Sequence, residues 1–199
     1  MATFDWHGLL TEWSRAVLAD DELSTSLPPE VVASGWLGYP GATEEEIATA
    51  EDRLGVSLPP SYRAFLSLTN GWRTVALFVQ QLWSTEEIEW LAVLDQDGID
   101  AWRMGEESMG RVPPVPDAEY FAYDKNGKAT NELALRSDYL QTALRISDVE
   151  YGGTGVYLLN PRVVTQDGEW EAWFWAHWIP GAYRYRSFWD MLRDESARR

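Results

Sequence analysis

Apolar side chains recur near the start of the chain at Trp6, Leu9, Leu10, Trp13 and Val17. This i, i+3, i+4, i+7, i+11 spacing marks one face of a helix, with Asp5 placed to cap it. The pair Asp20-Asp21 predicts its end, and residues 24–29, rich in Ser, Thr and Pro, predict a loop. Thr43-Glu44-Glu45-Glu46 has the form of a capping box ahead of the stripe Ile47, Ala50 and Leu54, and Gly55 stops that helix. Pro59 and Pro60 start a second helix with Tyr62, Phe65, Leu66 and Thr69 on one side, ended by Asn70-Gly71. The period then changes. Residues 74–82 form a β-type run, and Ser84-Thr85-Glu86-Glu87 predicts a short helix reaching Trp90 and Leu91.

Residues 95–116 are polar and turn-rich and predict little regular structure. Strands are expected at 119–123 and 130–135 around the turn Asp124-Lys125-Asn126-Gly127, and again at 140–146 and 156–160, the last entered through Gly152, Gly153 and Gly155. The clearest strand is 169–178, with Trp170, Ala172, Phe174, Ala176 and Trp178 on one face and Glu171, Trp173, Trp175 and His177 on the other. Residues 187–194 close the chain as a helix with Phe188, Met191 and Leu192 inward. Helices followed by short strands with hairpin turns predict an α+β domain, helices packed against a mostly antiparallel sheet. Residues 1–35 are expected to be a helical extension packed on a main body of residues 36–199, because about twenty residues of helix cannot hold a core alone.

The 199 residues carry 32 acidic and 16 basic side chains, a net charge of −16. Phosphate backbones and anionic membranes are held by clustered Lys and Arg, so neither nucleic acid nor membrane is expected as a partner. The absence of cysteine excludes disulfides, thiolate metal sites and a cysteine nucleophile. The N-terminal residues lack the positive and apolar regions of a signal peptide, which points to the cytoplasm. His7 and His177 have no metal-ligand spacing, and no Gly-x-Ser-x-Gly, P-loop or dinucleotide fingerprint is present. Residues 95–106 imitate a calcium loop but place Asp100 where glycine is required. No metal, cofactor or catalytic residue is expected.

Two features remain as candidate binding surfaces. Between residues 84 and 124 eleven acids face only Arg103 and Arg111. Asp95, Asp97, Asp100, Glu106, Glu107, Asp117, Glu119 and Asp124 are the candidate contacts for a basic partner, steering its encounter. Reversal of Asp95, Asp97 and Asp100 to Lys is then expected to slow association. Among the twelve tryptophans, Trp6, Trp13, Trp170 and Trp178 fall on apolar faces. Trp173 and Trp175 form either a second buried face or an exposed aromatic patch. An exposed patch beside carboxylates would suit a glycan-binding or hydrolytic protein.

The run Thr43 to Ile47, Glu51, Leu54-Gly55, Leu58-Pro59-Pro60-Ser61-Tyr62-Arg63-Ala64-Phe65-Leu66 and Asn70-Gly71 resembles the signature of the SUKH superfamily. That group includes Smi/Knr-type fungal cell-wall regulators and many bacterial immunity proteins. Weaker likeness continues through Ile146-Ser147-Asp148, Tyr157 to Pro161, Gly168-Glu169-Trp170 and Ser187-Phe188-Trp189. The resemblance implies a SUKH-like α+β fold and a non-catalytic role: binding and neutralising a co-encoded toxin, often a nuclease, whose positive cleft an acidic protein can occupy. A regulatory scaffold binding housekeeping proteins is the alternative. Within the signature, Thr43, Glu46, Pro59, Pro60, Tyr62, Phe65, Asn70 and Gly71 read as capping, packing and termination, and carry no binding role.

Overall fold

A computed structural model describes residues 4–76, 79–108, 115–131, 134–148, 155–176 and 178–198. Asp5 accepts a hydrogen bond from the Gly8 amide and opens α1 (Trp6–Leu18), whose residues Trp6, Leu10, Trp13 and Val17 are buried. Residues 24–29 are not the expected single loop. The Asp20 carboxylate accepts the amides of Glu22 and Leu23, satisfying the free donors of a new helix, α2 (Asp21–Thr25). Pro29 then opens α3 (Pro29–Ser34). The Thr43–Glu46 capping box begins α4 (Glu44–Leu54), and Gly55 ends it at a φ of 71°, a left-handed value that glycine adopts without strain. Pro59 and Pro60 start α5 (Pro60–Leu68), on which Tyr62, Phe65 and Leu66 are buried.

The β-type run at 74–82 resolves into an antiparallel pair, β1 (Trp72–Ala76) and β2 (Val79–Leu82). Ser84 and Glu87 make the side-chain bonds of a capping box, yet only a turn follows. Residues 89–90 instead form β3 (Glu89–Trp90), because pairing with β4 (Leu144–Arg145) competes with the helix. The helix comes later and is short, α6 (Leu91–Leu94). Residues 95–116, expected to be irregular, contain the thirteen-residue α7 (Gln96–Ser108). Asp95 accepts the Gly98 amide at its start, and Ile99 and Trp102, three residues apart, supply an inward face. The calcium-loop lookalike is therefore helix.

The strands expected at 119–123 and 130–135 are absent among the described residues; 132–133 lie outside them. A single turn, α8 (Asp117–Tyr120), precedes two isolated bridges, Tyr123 with Ala129 and Lys128 with Tyr185. The Asp124 turn does form, with Gly127 at a φ of 83°. The first part of the segment expected as strand 140–146 belongs to a 3-10 helix, Ser137–Thr142, closed by the Ala143 amide bonding to Leu140 O, and only β4 pairs as a strand. The chain is completed by β5 (Gly155–Val164), β6 (Trp170–Ala176), β7 (Ala182–Tyr185) and α9 (Phe188–Ala197), capped by Ser187. Gly152, Gly153 and His177 lie outside the described residues. The main sheet has the antiparallel order β3-β4-β5-β6-β7.

All seven residues of β6 are buried, so both faces of the sheet are covered. Trp170, Ala172, Phe174 and Ala176 belong to the larger core with Trp6, Trp13, Tyr62, Phe65 and Phe188 from α1, α5 and α9. Trp173 and Trp175 belong to a second core with Leu91, Ile99, Leu140, Val156 and Leu158. The exposed aromatic patch is thereby corrected: these two rings are 0% and 1% exposed. A ring of this size hides about 150–250 Å², and at about 25 cal/mol per Å² its burial is worth about 4–6 kcal/mol, reason enough for α6 and α7 to cover it. Trp178 goes the other way. It lies beyond the end of β6 and is 53% exposed.

Candidate functional site

The acid-rich stretch occupies two covers of one sheet face. On α7, Ile99 is fully buried and the Trp102 ring meets Trp175 edge-on at 5.8 Å, which fixes the inward side of the helix. At 100° per residue, Asp97, Asp100, Met104 and Glu107 then lie on the outward side. Asp97, Asp100 and Glu107 are exposed, as is Met104 at 69%, and Val93 on the adjoining α6 is 70% exposed. Asp100 accepts from the Gln96 amide group and stands 3.8 Å from Arg103. No cation among the described residues pairs with Asp97 or Glu107. Asp95 differs, since its carboxylate is spent on the Gly98 amide. Glu106 sits on the inward side and is half-buried.

The acids at 117–124 are largely engaged. Asp117 is ion-paired with Arg136, whose guanidinium lies 4.3 Å from the Tyr120 ring centre. Glu119 accepts from Asn131. Asp124 accepts the amides of Asn126 and Lys128 inside its own turn. Those backbone bonds, Lys128 first, hold its carboxyl below the usual carboxylate range.

Beneath this segment lies a group that sequence reasoning missed. Glu171 and Arg184, both fully buried, form an ion pair of 2.6 Å across β6 and β7. Glu171 also accepts from the Tyr123 hydroxyl and the Trp173 ring nitrogen. Arg184 donates to the carbonyls of Tyr120 and Asn131 and stacks on Tyr120 at 3.8 Å. Burial, with Glu171 adding to it, pushes the Tyr120 and Tyr123 hydroxyls far above the tyrosine range, so both stay protonated and Tyr123 remains a donor. The Glu171–Arg184 pair at its centre is closed to solvent, and the network ties the 120–131 segment to the sheet. The signal was present as two charges, Glu171 and Arg184, in otherwise apolar strands.

The signature residues serve the fold. Thr43 and Glu46 cap α4, while Tyr62 meets Phe188 edge-on at 4.8 Å. Asn70 exchanges hydrogen bonds with Thr85, donating to its hydroxyl and accepting from its amide. Ser61 donates from both its amide and its hydroxyl to Glu169. Among the described residues, no cluster of three or more His, Asp or Glu side chains could hold a metal ion, and no helix is long and apolar enough to cross a membrane.

No curated protein matches the chain significantly. Residues 41–194 match the SMI1 / KNR4 family (SUKH-1), and the chain belongs to that family.

Proposed function

We propose that this member of the SMI1 / KNR4 family is a non-catalytic protein-binding module that neutralises a basic toxin, with the outward face of α7 as its contact surface. Family membership supports a role of the immunity or Smi/Knr regulatory kind in general. The observation that carries the specific reading is the face itself. Asp97, Asp100 and Glu107 surround the exposed Met104 on a helix anchored from behind by Ile99 and Trp102. Long-range attraction from such acids speeds encounter, and the methionine supplies an adaptable apolar contact once docked. A nuclease cleft shaped for phosphates would carry the complementary charge. The glycan-binding or hydrolytic alternative has lost its motivating residues, because Trp173 and Trp175 are interior.

The test uses a partner recovered from native cells bound to the full chain. Association of the D97K/D100K/E107K variant is expected to be slower by about tenfold or more at low salt, with the difference shrinking as salt is raised. Unchanged association at low salt overturns the assignment of α7. Expression of the recovered partner alone separates the two family roles. Toxicity relieved by this chain supports immunity, and a harmless housekeeping partner supports the scaffold.

A further inference from the structure

At the far end of the β5–β6 pair the register breaks between Asn160 and Val164, where β5 passes the segment that follows α8. There Phe121, Tyr123, Arg162, Val163, Val164 and Arg186 line an open pocket of 390 Å³. Its charge is opposite to that of the molecule as a whole. No carboxylate among the described residues lies within ion-pair distance of Arg162, whose guanidinium rests 5.7 Å from the Tyr139 ring centre. Arg186 pairs with Asp190 at 3.2 Å but shares it with Arg193 at 3.4 Å, so one carboxylate serves two cations. Thr165 also lines it, its hydroxyl accepting the Glu169 amide, and the rest of the wall is largely apolar, with Phe121 39% and Val164 54% exposed. The Tyr123 hydroxyl is committed to Glu171, which leaves the ring as its contribution.

We propose that this pocket binds a carboxylate attached to an apolar group, the chemistry shared by the C-terminal residue of a peptide and a small hydrophobic organic acid. A guanidinium fork matches a planar carboxylate with two parallel hydrogen bonds. Phe121, Val163 and Val164 cover the apolar portion. A monoanion suits the site better than a phosphate dianion, because the net charge of −16 repels the second negative charge. The site is independent of the α7 reading. It takes the opposite charge and lies by Val164, which pairs with Trp170, whereas Val156 in the core under α7 pairs with Trp175 farther along β6, roughly 17 Å away at about 3.3 Å per residue.

Four probes test it by nuclear magnetic resonance titration of the full chain: acetyl-Gly-Gly-Phe with a free carboxylate, its C-terminal amide, 3-phenylpropionate and phenyl phosphate. The free-carboxylate peptide is expected to shift the amides of residues 121–123, 162–165 and 186 with a Kd below about 1 mM. The amide, and Arg162→Gln with the carboxylate probes, are expected to bind about tenfold or more weakly, with the melting temperature of the exposed Arg162 variant unchanged. Binding of 3-phenylpropionate equal to the peptide assigns the pocket to free acids, and binding of the peptide alone assigns it to chain ends. The proposal is overturned if the amide binds as well as the acid, if phenyl phosphate binds more tightly than either carboxylate, or if no probe gives saturable shifts.

Discussion

Helix α7 and the 117–131 segment cover neighbouring parts of the same sheet face, and both are rich in acids, but they are held there by opposite means. α7 is anchored by apolar side chains, Ile99 and Trp102 against Trp175. Its outward carboxylates tie it to no other element: Asp100 meets only Gln96 and Arg103 of the same helix. The 117–131 segment contributes Tyr120 and Ala129 to the interior but depends on polar ties: Arg184 to its carbonyls, Tyr123 to Glu171, and Asp117 to Arg136. Its acids are consumed in holding it. The same local excess of negative charge thus means an available surface in one place and internal scaffolding in the other. What decides between them is whether hydrophobic burial or hydrogen bonding does the anchoring.

The contrast can be broken most severely at the buried pair. Arg184→Met strands the Glu171 carboxylate without its cation and is expected to cost about 3–5 kcal/mol. Hydrogen exchange should quicken first at Ala129 and Thr130, with α7 amides protected as before. Ile99→Ala removes the apolar anchor instead and is expected to cost about 3 kcal/mol, loosening α7 in the same experiment while the 117–131 segment holds. If both variants loosen both covers equally, the two anchors are not separate.

Glu169 sharpens the distinction between a buried acid with a cation and one without. It is buried against Ser61, and burial raises its carboxyl above the usual range despite the two serine hydrogen bonds. The folded chain therefore holds this proton to higher pH than the unfolded chain. The stability it contributes is full below the ordinary glutamate range and is lost as pH rises through the raised value. Glu169→Gln is expected to flatten that part of the denaturation-versus-pH curve, and an unchanged slope contradicts the assignment. Smaller still, Asp117→Asn breaks an ion pair whose carboxylate is 80% exposed and should cost only about 0.2–1 kcal/mol by urea denaturation. D100K/E107K should leave stability within about 0.5 kcal/mol, since both acids are exposed and neither is bonded outside α7.

Much of this was legible along the chain. The signature helices follow from Thr43, Glu46, Gly55 and Pro60, whose effects are local: caps, a left-handed stop and a proline-compatible first turn. Apart from α2 and α3, whose signals at Asp20 and Pro29 are local, the misread elements depend on distant partners. Residues 89–90 are strand because Leu144 and Arg145 pair with them. α7 was hidden because only Ile99 and Trp102 mark its inner face, and their value comes from Trp175, over seventy residues away. Trp173 and Trp175 could not be told from a surface patch until the covering helix was in place. The eight candidate acids could not be sorted either, since Arg136 and Asn131, which engage Asp117 and Glu119, are separated from them in sequence and meet them only in the fold.

The central claim is that α7, and not the 117–131 segment, meets the partner. A photo-crosslinking residue placed at position 104 or at position 119 in the full chain, irradiated in native cells, tests it most directly. A basic protein is expected to be captured from position 104, less of it when D100K/E107K is added, and little or none from position 119. Capture from position 119 with none from position 104 would contradict it.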